Sequence, residues 1–360
     1  MSNVVKPLTQ SKTATATKPV SLTGGAKAPA VQVAPAPIPK PIMVNTPAPV
    51  GSSTPIKAAQ PQPSANNPFI ARDLDCSNEY ITMAIYGDFG SGKTFFAGSA
   101  ALVEDYSDVL YVSLEGGEKG LRQLVKEGKK AGIDVAARIL VIPVSTYKQY
   151  ANIYEFLKLH VNFRDKNDLI NLRRLEAQIR GYAPAQCADD KFLETAIPQP
   201  KKFQTVITDS LTEAQRYCMY QLLGIDPLKQ RLDVEPDSAE WKDWGRSRDM
   251  INFLVGRLKD LPINNILICG QDTEQDAAKK FHYNLLLPGK LSGDVRGKVD
   301  CVGYLNTAPL EGGQVARRLY FVGGAYGNVN IAAKHRFGDN LKSTYLENPS
   351  MLKVWHLDND

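Results

Sequence analysis

The sequence predicts an α/β fold, a mostly parallel central sheet flanked by helices, and two observations carry that prediction. Apolar runs bounded by turn residues recur between helical stretches, the pattern of parallel strands joined by helical crossovers. One such run, Ile81-Thr82-Met83-Ala84-Ile85-Tyr86, leads straight into Gly87-Asp88-Phe89-Gly90-Ser91-Gly92-Lys93-Thr94, and Phe95 to Leu102 then reads as a helix. The segment from Gly87 to Thr94 spells GxxxxGK[ST], and strand before with helix after is the context in which that pattern holds phosphate.

The chemistry of that loop follows from its residue types. Glycines let the backbone turn tightly and bring its N–H groups against phosphate oxygens. The helix behind presents its positive end to the same anion. Lys93 supplies a point charge for the β and γ phosphates, and Thr94 offers a hydroxyl to magnesium. The expected ligand is a nucleoside triphosphate, ATP or GTP, with Mg2+, held by Gly87, Asp88, Phe89, Gly90, Ser91, Gly92, Lys93 and Thr94.

The remaining elements follow in order. Residues 108–114, 139–143, 203–209 and 265–270 are apolar and read as strands. Residues 299–305 and 317–322 complete the set and are expected to be antiparallel. Tyr147 to Arg180 is helical and polar, with Lys148, Lys158, Arg164, Lys166, Arg173, Arg174 and Arg180, and reads as a helical pair inside an insertion of about 145–200. Glu240 to Leu261 carries Trp241, Trp244, Met250, Phe253, Leu254 and Leu258 at roughly helical spacing, a stripe expected to pack on the sheet.

Composition sets the domain plan. Of the 360 residues, residues 1–68 hold 13 of the 23 prolines and no Asp or Glu. Lys6, Lys12, Lys18, Lys27, Lys40 and Lys57 are spread among Ala, Pro, Thr, Ser and Val, so residues 1–70 are expected to form a disordered tether with little to bury. Its sharper alternative is a weak nucleic-acid-binding tail. The stretch lacks the apolar core of a secretory signal and the arginines of a transit peptide. The chain carries +5, and seven cations precede Asp73, so the body from residue 73 onward sums to −2. Any nucleic-acid binding by that body must come from a local patch. Cys76, Cys187, Cys218, Cys269 and Cys301 are scattered without a CxxC pair, which fits reduced cytoplasmic thiols rather than disulfides or zinc. No apolar stretch approaches a membrane span. The folded nucleotide-binding body is expected over 71–345, with a tail at 346–360 that ends in an acidic tip.

Hydrolysis needs more than a phosphate loop. Val206-Ile207-Thr208-Asp209 is an apolar strand ending in an acid, which would order the magnesium shell from the carboxyl end of the sheet. An N-cap on the following helix is the plainer role for Asp209. Glu115, at the tip of the strand before Gly116-Gly117, has the position of a general base for water. Gln271 follows the strand ending Ile268-Cys269-Gly270 and has the amide to sense a γ phosphate.

A phosphate loop followed by strands ending in Glu, Asp and Gln resembles the RecA-like ATPase core. Ala333-Lys334-His335-Arg336-Phe337-Gly338 looks like the Lys-x-Arg-Phe-Gly segment of bacterial RadA-type proteins. More narrowly, the chain is similar to phage-encoded RecA-like proteins that include single-strand-annealing ATPases of the Sak type. That resemblance runs from Ile81 to Gly338 and rests on the phosphate loop, Asp243-Trp244-Gly245, Leu287-Pro288-Gly289-Lys290, Asp300-Cys301-Val302-Gly303-Tyr304 and Lys334-His335-Arg336. The insertion Tyr147–Gln199 and the Pro/Ala-rich tail lie outside it.

The resemblance implies an ATPase acting on single-stranded DNA in recombination, annealing or replication. It also implies a head-to-tail homo-oligomer, ring or filament, in which Lys334 and Arg336 act on a neighbour's nucleotide. A single-strand-binding protein is a further expected partner. The loop from Asp272 to Gly293 would contact DNA through Lys279, Lys280, Phe281 and Tyr283, aromatics beside lysines being what stacking and phosphate contact require. An ordinary β-hairpin has the same alternation. The rival reading is a nucleotide-gated adaptor with little turnover, recruiting a protein through its tail or insertion.

Overall fold

The computed structural model describes residues 80–162, 166–227, 229, 238–310 and 315–359, so the expected tether at 1–70 lies outside the described residues. The chain opens with β1 (Thr82–Tyr86) and α1 (Lys93–Gly98), then β2 (Val109–Ser113), α2 (Leu121–Lys130), α3 (Val135–Arg138) and β3 (Ile139–Pro143). The insertion follows as α4 (Tyr147–Asn162), α5 (Lys166–Ile179), α6 (Pro184–Cys187) and α7 (Asp190–Ala196). Next come β4 (Thr205–Asp209), α8 (Leu211–Leu222), α9 (Trp241–Lys259) and β5 (Asn264–Cys269). β6 (Gln271–Gln275), β7 (Phe281–Leu285), α10 (Leu291–Lys298), β8 (Cys301–Pro309) and β9 (Val315–Tyr320) lead to β10 (Gly324–Tyr326), β11 (Val329–Ile331), β12 (Tyr345–Glu347) and α11 (Met351–Asn359).

Among the described residues, eight strands form the main sheet in the order β12-β9-β8-β1-β5-β4-β2-β3. From β8 to β3 every neighbouring pair is parallel. The expectation for the last two core strands is corrected in part, because β8 runs parallel to β1 and only β9 turns antiparallel to it. β1, β2, β4 and β5 are buried throughout, as strands covered on both faces must be. β5 lies between the strand that feeds the phosphate loop and the strand that ends in Asp209, so Asp209 and Tyr86 emerge at the same carboxyl edge.

A second sheet, β10-β11-β7-β6, packs against the main one. Tyr86, the last residue of β1, is its anchor: its hydroxyl donates to the Tyr283 carbonyl at 2.9 Å and accepts from the Ala332 N–H at 3.1 Å. The rings of Tyr86, Tyr283 and Tyr320 all lie within 6.1 Å of the Tyr304 ring.

Two expectations are corrected here. Residues 346–359 do not form a free tail, while the tip at 360 lies outside the described residues: α11 seats Met351 and Val354, both fully buried, beside Phe96 and Ala100, and the Met351 N–H donates to Ser99 Oγ at 2.8 Å. The α9 stripe is core only in part: Leu254 and Leu258 are buried and Met250 packs against them, but the aromatics are not core. α9 turns Ser247, Ile251, Leu254, Val255 and Leu258 inward, while Trp241 is 92% and Phe253 63% exposed. Residues 247, 251, 254, 255 and 258 keep the i, i+4, i+7 spacing of one helix face, and the aromatics fall off it. Among the described residues no helix is long and apolar enough to cross a membrane.

The insertion is tied to the body by α4, whose Tyr150 hydroxyl meets Thr208 Oγ1 at 2.8 Å, and it carries a small core of its own around Ala177, Cys187, Leu193 and Ile197. His160 near the end of α4 accepts the Phe203 N–H at 3.0 Å, and its ring lies among Phe156 and Phe203. Burial, with Lys202 nearby, pushes the imidazole down to about 4. The folded value lies below the ordinary one, so stability from this group is complete above about pH 6.5 and falls as pH drops toward 4, by up to about 3 kcal/mol. Urea unfolding at pH 7 and pH 4.5 should therefore show a smaller acid loss in His160→Gln than in the parent chain.

Candidate nucleotide site

The phosphate loop is shaped by two close approaches. A side chain at Gly87 would collide with the carbonyl oxygen of Leu305, where β8 runs against the loop. Gly92, at φ +97° before α1, adopts the left-handed backbone that glycine tolerates, and a Cβ there would lie 2.6 Å from Arg317 Nε. Asp88, Phe89 and Gly90 are exposed at the tip, Phe89 by 90%, while Ser91 is buried. Lys93 folds back over the loop, donating to the carbonyls of Gly87 at 2.8 Å and Asp88 at 2.9 Å. Burial pushes its ammonium pKa down, and the charges of Asp209, Glu115 and Asp88 work the other way.

Asp209, 4% exposed, closes the site from β4. Its Oδ2 accepts from Thr94 Oγ1 at 2.7 Å and from the Tyr111 hydroxyl. Burial first, then the Asp209 charge, push the Tyr111 phenol far up, so it stays a donor to the carboxylate. Hydroxyl and carboxylate oxygens side by side at a phosphate loop are the donor set a magnesium ion takes, so Thr94 and Asp209 fit the group the motif implies. The loop after β2 covers them closely: a Cβ on Gly117 would stand 3.0 Å from Asp209 Oδ2.

Glu115 leaves β2 at the same edge, since Ser113 pairs with Asp209 in the register. It is exposed, and its Oε1 accepts from Ser210 Oγ. Ser210 is the N-cap of α8 and also accepts the Glu213 N–H at 3.2 Å, so the cap that starts the helix holds the carboxylate. Asp209 is thus the last strand residue, and the capping role belongs to Ser210.

Gln271 starts β6 with Nε2 bonded to Thr273 Oγ1 at 3.1 Å and a buried Oε1 without a partner. The 272–293 segment is a β-hairpin followed by α10, with Lys279 and Lys280 exposed at its turn. Phe281 is half-buried, and Tyr283 packs on Tyr304 at 5.4 Å, so Tyr283 belongs to the inter-sheet packing and is not a free stacking ring.

Lys334 and Arg336 lie at the opposite edge of the sheet. Lys334 bridges Val302 near the start of β8, and Arg336 Nη1 pairs with Asp300 Oδ1 at 3.0 Å, where Asp300 Oδ2 also accepts the Thr82 N–H. At strand rise, about 15 Å of β1 separates Arg336, beside Asp300 at the level of Thr82, from Gly87, and about 10 Å separates Lys334, whose bridge partner Val302 pairs with Ala84. Lys334 sits on an isolated bridge and not in a strand, so the two cations do not share a strand face; Phe337, 4% exposed, anchors the segment. Burial and the neighbouring Arg336 charge push the Lys334 ammonium pKa down.

The structure adds side chains that sequence reasoning missed. Tyr111 and Arg317 carried no motif; Ser210 was visible as the first residue of Ser-Leu-Thr-Glu, the S-x-x-E signature of a helix start. Trp241 and Trp244, assigned to the core, instead line a surface groove of about 660 Å³ with Arg248, Pro288, Gly289 and Lys290. That groove unites the Asp243-Trp244-Gly245 and Leu287-Pro288-Gly289-Lys290 segments. Arg248 Nε and Asn252 Nδ2 both bond Asp294, tying α9 to α10 beneath it.

A family model described as an AAA domain matches residues 79–337, which contain the phosphate loop, Glu115, Asp209 and Lys334-His335-Arg336. No curated protein matches the chain.

Proposed function

We propose that this chain, which belongs to the AAA-domain family, hydrolyses ATP in a RecA-like site and couples that turnover to single-stranded DNA, in cytoplasmic recombination, annealing or replication of the phage Sak type. The observation that carries the ATPase reading is the contact of Thr94 with Asp209 at 2.7 Å beside a Glu115 held by the α8 cap. In this reading Lys93 exchanges its two carbonyl partners for phosphate oxygens. Glu115 takes the proton of a water whose oxygen bonds to the γ phosphorus as the bond to ADP breaks. Thr94 and Asp209 would hold a magnesium ion, which would supply neutralising charge for the phosphates. Tyr111 fixes the orientation of Asp209.

The DNA part rests on the Trp241–Trp244 groove. α9 runs back to the amino edge where β5 starts, so its first turn stands on the carboxyl side of the sheet, the side of the phosphate loop. Two tryptophans with Lys290 beside them supply stacking and phosphate contact. In this reading Lys279 and Lys280, exposed at the hairpin turn beside Phe281, would add separate contacts to DNA. Lys334 and Arg336 support a head-to-tail assembly, because only a neighbouring copy brings a nucleotide to the edge they occupy.

Titration with a dT oligonucleotide tests this. Trp241→Ala with Trp244→Ala should weaken binding at least tenfold, since stacking contributes about 1–3 kcal/mol per base. The native fold should survive, because neither ring is in the core. Unchanged DNA affinity in that variant would rule the groove out, and absence of DNA binding by the parent chain would favour a nucleotide-gated adaptor.

A further inference from the structure

The β8–β9 ribbon outruns its neighbours. β1 ends level with Tyr304, yet the ribbon continues through the pairs Leu305–Leu319, Asn306–Arg318, Thr307–Arg317 and Ala308–Ala316. Thr307 therefore stands about 10 Å beyond the end of β1, and the ribbon overhangs the phosphate loop. Alternation sets which side chains look down on it. Leu319 and Phe321 pack in the layer of Phe96 and Ala97, and Arg317 shares their face. Arg318 points the other way, over the Tyr345 ring at 4.9 Å and 3.6 Å from Glu347.

Arg317 is placed as a ligand residue would be. Its guanidinium stands 5.6 Å from the Phe95 ring centroid, and its Nε and Cδ fill the space that a Cβ on Gly92 would enter, at 2.6 and 2.9 Å. Nε is buried without a hydrogen-bond partner, and no carboxylate pairs with Arg317 among the described residues. A buried, unpaired guanidinium N–H is costly, and a phosphate oxygen is the partner that suits its fork. Asp209 and Thr94 mark where the magnesium-binding β and γ phosphates belong, on the β4 side of the loop. Arg317 approaches from the β8 side.

We propose that Arg317 binds the nucleotide in cis, on the α-phosphate at the nucleoside end, across the loop from Thr94 and Asp209. The inference rests on the nucleotide reading of the loop and adds a residue to it. The site then holds its ligand between two flanks: acids and hydroxyls at the γ end, and one arginine at the α end. This role differs from that proposed for Lys334 and Arg336, which need a second copy.

Titration calorimetry with MgATP and with MgADP separates the possibilities. Arg317→Ala should weaken both nucleotides by about the same factor, tenfold or more, and Arg317→Lys, which keeps the charge but not the fork, should recover part of the loss. Thermal unfolding of both variants checks the fold, and the Lys variant carries the test where the Ala variant is unstable. Parent-like affinity for MgADP in both variants would overturn the proposal, as would a loss confined to MgATP, which would place Arg317 at the γ phosphate. A parent chain that binds neither nucleotide would sink the reading on which the inference rests, whereas a parent that binds both with unaffected variants sinks only the role of Arg317.

Discussion

Lys93→Ala should weaken MgATP binding by about 10- to 100-fold and remove hydrolysis, with no loss of thermal stability. The first part follows from charge: the ammonium is the only lysine within the loop, and a hydrogen bond from a cation to phosphate contributes up to about 3 kcal/mol. The second follows from the unliganded structure. Lys93 is held by the Gly87 and Asp88 carbonyls, and burial pushes its ammonium pKa down, the mark of a cation the fold tolerates rather than requires. Removing it takes away a desolvated charge. Calorimetric titration with a melting curve on the same sample checks both parts. Strong destabilisation without loss of binding would contradict this account of the loop.

Glu115→Gln should lower kcat by about 10²- to 10⁴-fold while ATP affinity stays near that of the parent. The substitution keeps the shape and leaves an oxygen to accept from Ser210 Oγ, so the loop after β2 keeps its anchor. What is lost is the ability to take a proton from water. Single-turnover hydrolysis beside equilibrium binding separates the two effects. Equal losses in binding and turnover would make Glu115 a structural partner of Ser210 and leave the base unassigned.

Much of this site was legible in the sequence because its parts are local. The phosphate loop, the acid ending β4 and the acid following β2 each sit at the end of an apolar run, and parallel strands bring such ends to one edge. What stayed hidden is what depends on pairing between distant strands. Arg317 lies next to Gly92 only because β8 pairs with β1 and β9 folds back past its end, which no spacing announces. Tyr111 meets Asp209 because β2 and β4 are neighbours. The Trp241–Leu258 stripe held for Leu254 and Leu258 but misled in its aromatics, which at helical spacing resemble a core face, while the face α9 buries includes Ser247 and the small Val255. Tyr283 misled in the opposite sense: alternation beside lysines fits a stacking loop, but in the hairpin its ring is taken by Tyr304. Residues 346–360 read as a tail with an acidic tip, yet Met351 and Val354 pack beside Ala100, and Ser99 accepts the Met351 N–H.

The most direct test of the central claim is ATP hydrolysis by the full chain, measured with and without single-stranded DNA, beside Lys93→Ala as the blank. Magnesium-dependent hydrolysis that rises with DNA and vanishes in the variant is the predicted result. Hydrolysis no greater than that of Lys93→Ala, with or without DNA, would contradict it.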